Sequence, residues 1–122
     1  MDVTLTIFGI PNCDTVKKAR VWLDGKGLAY TFHDYKKQGA DAAQVARWVA
    51  QAGLDKVLNK AGTTFRKLAD ADKADLAADL TGEKAVALMV AQPSLIKRPI
   101  VEYPGGLVVG FKPAEWEEIF KV

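Results

Sequence analysis

The apolar residues in the first third of the chain predict a strand, a helix and a second strand. Residues 3–8 have the alternation and the propensity of a strand, with Val3, Leu5 and Ile7 on one side and Thr4, Thr6 and Phe8 on the other. From Asp14 the apolar residues change to a helical spacing, and this pattern ends near Gly25. Residues 28–34 then predict a second strand. So short a strand, helix, strand sequence implies two parallel strands with a right-handed crossover.

The middle third has a different pattern, made of short helical segments. Residues 41–52 place Val45 and Trp48 on one stripe, residues 55–59 indicate a short helix, and residues 62–64 indicate a loop. Two further helical segments follow over residues 71–80 and 82–91, before Pro93. We therefore predict an all-helical insertion over about residues 41–92.

The last part of the chain returns to strands. Residues 100–103 and 107–111 flank a Pro-Gly-Gly turn and predict an antiparallel pair. Pro113 opens a closing helix that carries Trp116 on its apolar face. The whole order favours an α/β fold with a mixed four-stranded sheet, βαβ followed by ββα, with the insertion between strands 2 and 3. We expect a single domain over residues 1–122.

Composition narrows the classes of function. With 122 residues, of which 49% are hydrophobic, the chain can bury a core without a stabilising disulfide or metal ion. Its single cysteine excludes an internal disulfide. We expect no metal site, no signal peptide or membrane partner, and a reducing compartment such as the cytoplasm. The net charge of +2 comes from 17 basic and 15 acidic residues that are interleaved, so we expect no direct contact with nucleic acid.

The single cysteine, Cys13, lies where the first strand gives way to the first helix. Free N–H groups and the positive end of a helix dipole favour a thiolate there, although a lone cysteine can also be a small apolar core residue. The neighbouring carboxylate of Asp14 opposes a second anion, and Arg98 would offset it if it folds against this turn. Because Val16 occupies the second position of a Cys-x-x-Cys pair, an outside thiol must resolve any mixed disulfide.

For four other polar residues the sequence gives weaker evidence of a functional role. We expect Asn12 to cap the first helix, and His33 to be a structural histidine at a strand end. Lys36 and Arg66 carry positive charge near loops, and their sequence context assigns them no further role.

Four separated motifs closely resemble the ArsC (arsenate reductase-like) family, in its YffB branch. They are GIPNCDTVKKA from residue 9, FHDYK from residue 32, GTTFRKL from residue 62 and IKRPIV from residue 96. The resemblance spans about residues 5–120 and implies a thioredoxin-like fold with a helical insert. It also implies that Pro99 is cis and that Arg98 is directed at Cys13; the alternative is that Arg98 is a strand-edge cation.

In the arsenate reductases of this family, a cysteine attacks the oxyanion, three arginines hold it, and glutathione with glutaredoxin completes the reduction. Cys13 matches the nucleophile and Arg98 matches one arginine, whereas Asn59 and Lys112 stand where the other two arginines are expected. Neither replacement reproduces the two-pronged hydrogen bonding of a guanidinium to a tetrahedral anion. The resemblance to the YffB branch instead implies a glutathione-dependent thiol reductase.

We therefore expect a thiol reductase that works through a mixed disulfide on Cys13, with glutathione as co-substrate and no bound cofactor. Its catalytic residues would be Cys13 and Arg98, and substrate or glutathione would bind at Asn12, Asp14, Arg98, Pro99 and Lys112. One alternative is an arsenate reductase coupled to glutathione and glutaredoxin. The other is a non-catalytic regulator resembling the Spx proteins, which bind RNA polymerase.

Overall fold

In the computed structural model, which describes residues 5–78 and 82–121, four strands form one mixed sheet in the order β2-β1-β3-β4. The strands are β1 (Leu5–Gly9), β2 (Tyr30–Asp34), β3 (Ile100–Tyr103) and β4 (Gly106–Val109). β1 pairs with β2 in parallel, and β3 runs antiparallel to both β1 and β4. This confirms the predicted α/β architecture, with a βαβ half followed by a ββα half.

Eight helices accompany the strands in the described residues. They are α1 (Asp14–Gly25), α2 (Tyr35–Gln38), α3 (Ala42–Ala52), α4 (Leu54–Val57), α5 (Thr63–Arg66), α6 (Asp70–Ala78), α7 (Glu83–Ala91) and α8 (Pro113–Phe120). A 3-10 turn, Pro93–Leu95, follows α7. None of the helices in residues 5–78 and 82–121 is long and apolar enough to cross a bilayer.

The chain divides into two compact units. The sheet unit comprises Met1–Gln38 and Arg98–Val122, and the helical unit comprises Gly39–Lys97. The helical unit corresponds to the insertion predicted over about residues 41–92. That the units form a single domain over residues 1–122 stays a prediction.

Several boundaries differ from the sequence expectations. Residues 3 and 4 of the first predicted strand, and residues 80 and 81 around the predicted break before Gly82, lie outside the described residues. The loop prediction for residues 62–64 is wrong in part, because α5 begins at Thr63. The helix α2 was not expected; it starts where Asp34 accepts a hydrogen bond from the Lys36 N–H at 2.9 Å. A carboxylate that binds the second N–H ahead of it stops a strand and starts a turn.

One face of the sheet carries the core of the sheet unit. Strand alternation directs four apolar side chains to this face, where they meet α1 and α8; the buried cluster is Leu5, Ile7, Ala19, Leu23, Val101, Val108 and Trp116. Trp116 is fully buried, and its indole N–H donates to the Gly110 carbonyl at 3.1 Å. The helical spacing of α1 and the alternation of β1 thus both follow from burial on this face.

The strand directions bring four chain segments to one end of the sheet. β1, β2 and β4 end there, because they are mutually parallel, while the antiparallel β3 begins there. The segments after Gly9, Asp34 and Val109, and the segment before Ile100, therefore share that end. The Gly110 N–H donates to the Pro99 carbonyl at 2.8 Å and joins two of these segments directly.

Gly9 allows β1 to pass close to the first turn of α1. A Cβ placed on Gly9 would lie 2.7 Å from one methyl group of the Val16 side chain, which is fully buried. Val16 is β-branched and has little rotamer freedom in a helix, so it cannot move away readily. The glycine therefore fixes how closely the helix start approaches the strand.

We expect Gly9→Ala to lower the free energy of unfolding by about 1–3 kcal/mol, the usual cost of overpacking a buried contact. In a Val16→Ala background, which removes the opposing methyl groups, the same substitution should cost much less. Urea unfolding of the four proteins in this double-mutant cycle measures both values. An equal cost of Gly9→Ala in the two backgrounds would contradict the contact.

Candidate active site

Cys13 is the residue immediately before α1, in an extended conformation with φ −89° and ψ 125°. Its N–H donates to the Ile10 carbonyl at 3.2 Å, and its carbonyl accepts from the Lys17 N–H at 2.9 Å. Cys13 is thus the N-cap residue, and the prediction that Asn12 caps the helix is wrong. Asn12 lies in the exposed turn one residue earlier, because the turn closed by Ile10 places the helix start at Cys13.

Several groups act on the Cys13 sulfur. Partial burial raises the pKa of the thiol, but the Val16 N–H, the hydrogen bond from Arg98, the Thr15 N–H and the Arg98 charge lower it. The lowering effects prevail, so the pKa of Cys13 lies below its ordinary value. The Cys13 side chain makes no cap hydrogen bond, but the Val16 and Thr15 amides of the first turn still favour the thiolate. Cys13 is free and partly exposed, as a nucleophile must be.

Arg98 reaches the sulfur from the segment that precedes β3. The Arg98–Pro99 peptide bond is cis, as the resemblance implied. The Arg98 side chain is partly buried and donates a hydrogen bond to Cys13. The expectation that Arg98 is directed at Cys13 is therefore correct, and the strand-edge alternative is not. A catalytic role for Arg98 stays a prediction.

Tyr35 is a residue of this end of the sheet that the sequence reasoning missed. It is 4% exposed at the start of α2, and its ring packs with Phe8 and His33 at centroid distances of 6.4 and 5.6 Å. Burial strongly raises the pKa of Tyr35, the Arg98 charge lowers it, and the Glu102 charge raises it further. The phenol is therefore neutral. The available signals were its position immediately after β2 and its place in the FHDYK motif.

The remaining predicted binding residues occupy two kinds of position. Asp14 and Lys112 are exposed, at the first residue of α1 and just before α8. Exposure to water weakens the effect of the Asp14 charge on the sulfur. Pro99 is buried, and its carbonyl is taken by Gly110. Their roles in binding, like that of Asn12, stay predictions.

The three residues of uncertain role are now placed in the fold. His33 lies on β2 opposite Phe8, with ring centroids 4.9 Å apart, and its structural role stays a prediction. Lys36 is exposed in α2. Arg66 ends α5 in the helical unit, where its carbonyl accepts from the Lys73 ammonium at 3.0 Å.

The described residues contain no group of three or more His, Cys, Asp or Glu side chains arranged to hold a metal ion. Within these residues, the chemistry that the geometry offers is that of a thiolate beside a guanidinium at a helix start. Such a sulfur can attack a disulfide or another oxidised centre.

Comparison with known proteins identifies relatives of nearly the whole chain. The family model of the ArsC family matches residues 8–119. A solved structure described as YffB is 53% identical, with a TM-score of 0.87, and covers 93% of this chain and 96% of its own. An arsenate reductase related protein from Brucella melitensis is 50% identical, with a TM-score of 0.72, 98% of this chain and 96% of its own being covered.

Two curated relatives extend the comparison. A Haemophilus influenzae protein described as uncharacterized is 38% identical over 116 residues, covering 95% of this chain and 98% of its own. The global transcriptional regulator Spx of Streptococcus agalactiae is 25% identical over 114 residues, covering 91% of this chain and 79% of its own.

Replacing Arg98 should raise the pKa of Cys13, because the substitution removes both a hydrogen bond to the thiolate and a positive charge beside it. We expect Arg98→Met to move the thiol titration to higher pH and Arg98→Lys, which keeps the charge, to move it less. Ultraviolet absorbance of the thiolate against pH measures the shift. Arg20→Met is the matched control, because Arg20 stacks on the Phe32 ring at 4.3 Å and is not among the groups that act on Cys13. If Arg20→Met raised the pKa of Cys13 as much as Arg98→Met does, the role assigned to Arg98 would be contradicted.

The lowered pKa of Cys13 also makes stability depend on pH. Between the folded pKa and the unfolded value of about 8.5, only the unfolded chain binds the thiol proton, so stability rises with pH. The difference in free energy of unfolding between the wild type and Cys13→Ser should therefore increase with pH through this window. It should be constant above the window and have its lowest value below it. Urea unfolding at several pH values tests this, and a difference that shrinks as pH rises would contradict it.

Proposed function

The chain belongs to the ArsC family, and from this premise we propose that it is a glutathione-dependent thiol reductase with Cys13 as its sole nucleophile. The observation that carries the proposal is the thiol at the start of α1, whose pKa is lowered by two backbone amides and Arg98 against the opposing effect of burial. A family of thiol and arsenate reductases uses such a sulfur as its attacking group. The cytoplasm, where glutathione is abundant and reduced, is the compartment that suits this activity.

The proposed reaction has two thiol–disulfide exchanges. In the first, the Cys13 thiolate attacks one sulfur of a disulfide; a Cys13–substrate disulfide forms, and the other sulfur leaves as a thiolate that takes up a proton. In the second, a glutathione thiolate attacks the substrate sulfur of that bond. Cys13 is released as a thiolate, glutathione becomes part of a new mixed disulfide, and one disulfide has been exchanged for another.

The absence of a second cysteine supports an external reductant. The chain contains one cysteine, so no internal thiol can attack the mixed disulfide. A small thiol is a reductant that can reach the partly exposed sulfur of the N-cap residue of α1. In this proposal Arg98 has two effects, since it lowers the pKa of the attacking thiol and carries a charge suited to the carboxylates of glutathione. Lys112, exposed at the same end of the sheet, is a second cation for those carboxylates. We include glutaredoxin as a further partner of the protein in this proposal.

Arsenate reduction is the second candidate, favoured by the similarity to the arsenate reductase related protein of Brucella melitensis. Arg98 beside Cys13 supplies one of the three cations that the family's reductases use. Asn59 and Lys112 stand in the other two positions. If they limit the reaction, the double substitution Asn59→Arg with Lys112→Arg should increase arsenate-dependent oxidation of glutathione in the presence of glutaredoxin.

A non-catalytic regulator is the candidate from another class. It is suggested by the similarity to Spx of Streptococcus agalactiae. Spx proteins that sense oxidation carry a Cys-x-x-Cys pair, and this chain has Val16 in the second position. A regulator predicts retention of RNA polymerase by the immobilised chain and no turnover that depends on Cys13.

We expect the wild type to reduce a small glutathione mixed disulfide, with glutathione consumption followed through glutathione reductase. Cys13→Ser should abolish this activity, and intact mass of the wild type stopped during turnover should show one added disulfide-linked group. Arg98→Met should lower kcat/KM about tenfold at neutral pH, the effect of reducing the thiolate fraction. Arg20→Met is the control. Turnover by Cys13→Ser equal to that of the wild type would refute the proposal.

A further inference from the structure

The hydroxyl of Tyr35 is an unexplained feature of the sheet end. The side chain is 4% exposed, and its oxygen is buried with no hydrogen-bond partner among the described residues. A buried hydroxyl without a partner lowers stability, because it has lost its hydrogen bonds to water and gained none in return. Phenylalanine would make the same ring contacts with Phe8 and His33 at none of that cost, so packing does not account for the oxygen.

The position of Tyr35 relates this hydroxyl to the nucleophile. Tyr35 follows β2 at the end of the sheet where the segment after β1 carries Cys13 and the segment before β3 carries Arg98. The Arg98 charge acts on both the Cys13 thiol and the Tyr35 phenol. Arg98 is therefore the common neighbour of an attacking sulfur and a buried O–H group.

The chemistry of the phenol limits what it can bind. It remains protonated because it is buried, so it has a hydrogen to donate. The nearby Glu102 carboxylate acts on it through its charge, yet it does not accept that hydrogen. An anionic oxygen attracted to Arg98 would be an acceptor of the right charge, and hydrogen bonds to charged acceptors are the strong ones.

We propose that Tyr35 is a ligand-binding residue whose O–H donates a hydrogen bond to an anionic oxygen of the ligand that Arg98 holds. The inference rests on the proposed function, because it assigns a further residue to the same site. The oxygen belongs to a carboxylate of glutathione or to an inorganic oxyanion, which share this chemistry. Since the hydroxyl is covered, binding requires a small shift of the side chains around it, as is common when ligands bind.

Two ligands that undergo no redox reaction test this contact. S-methylglutathione keeps the carboxylates of glutathione but cannot form a disulfide, and inorganic phosphate is a tetrahedral oxyanion that is not reduced. Calorimetric titration of each into the wild type, Tyr35→Phe and Tyr30→Phe gives the dissociation constants. Tyr30 is the matched control, because it is the first residue of β2, the strand that Tyr35 follows, and its hydroxyl already accepts a hydrogen bond from Arg20 at 3.3 Å.

We expect Tyr35→Phe to bind one or both ligands about tenfold more weakly, the loss of one hydrogen bond to a charged acceptor. Its thermal unfolding midpoint should be unchanged or higher, whereas Tyr30→Phe should bind like the wild type. Weakening with S-methylglutathione alone identifies a carboxylate, and weakening with phosphate alone identifies an oxyanion. The inference is overturned if Tyr35→Phe binds both ligands as the wild type does, if Tyr30→Phe loses as much affinity, or if neither ligand binds the wild type at millimolar concentration.

These outcomes are separate from the fate of the proposed function. Turnover lost in Cys13→Ser, together with unaltered binding by Tyr35→Phe, would overturn only the role of Tyr35. Turnover kept in Cys13→Ser would overturn the reductase proposal, whereas the dissociation constants would still decide whether Tyr35 contacts an anion.

Discussion

The hydrogen bond from the Arg98 guanidinium to the Cys13 sulfur is the interaction on which the account of this protein depends. It joins the segment after β1 to the segment before β3, and it acts together with the first-turn amides of α1. Partial burial alone would make the thiol a weaker acid than a free cysteine. The pKa of Cys13 therefore depends on whether the cation and the two N–H groups lower it by more than burial raises it, and here they do.

The fold determines this balance through strand direction. Because β1 and β3 are antiparallel neighbours, the end of β1 and the beginning of β3 are adjacent, although the whole helical unit separates them in the sequence. Gly9 then allows Val16 to pack closely against β1, and the N–H of the same Val16 is one of the groups that act on the sulfur. Core packing and sulfur chemistry therefore share a residue.

Sequence patterns predicted the strands, the main helices and the insertion because burial on one face of a sheet imposes the spacing that alternation and helical periodicity detect. The patterns did not predict α2 or the cap of α1, since both depend on local hydrogen bonds: Asp34 with the Lys36 N–H, and Cys13 with Ile10. The pairing of Arg98 with Cys13 was anticipated through a family resemblance. Tyr35 was missed although it lies in the FHDYK motif, because no periodic pattern indicates that its hydroxyl is buried with no hydrogen-bond partner among the described residues.

A single cysteine and a neighbouring arginine at the start of α1 form a candidate site simpler than one with two thiols. The central claim is that the pKa of the Cys13 thiol is lowered. The rate of alkylation by iodoacetamide as a function of pH measures this pKa directly, because only the thiolate reacts. The account predicts a midpoint below the value of about 8.5 of a free cysteine. A midpoint at or above that value would contradict it.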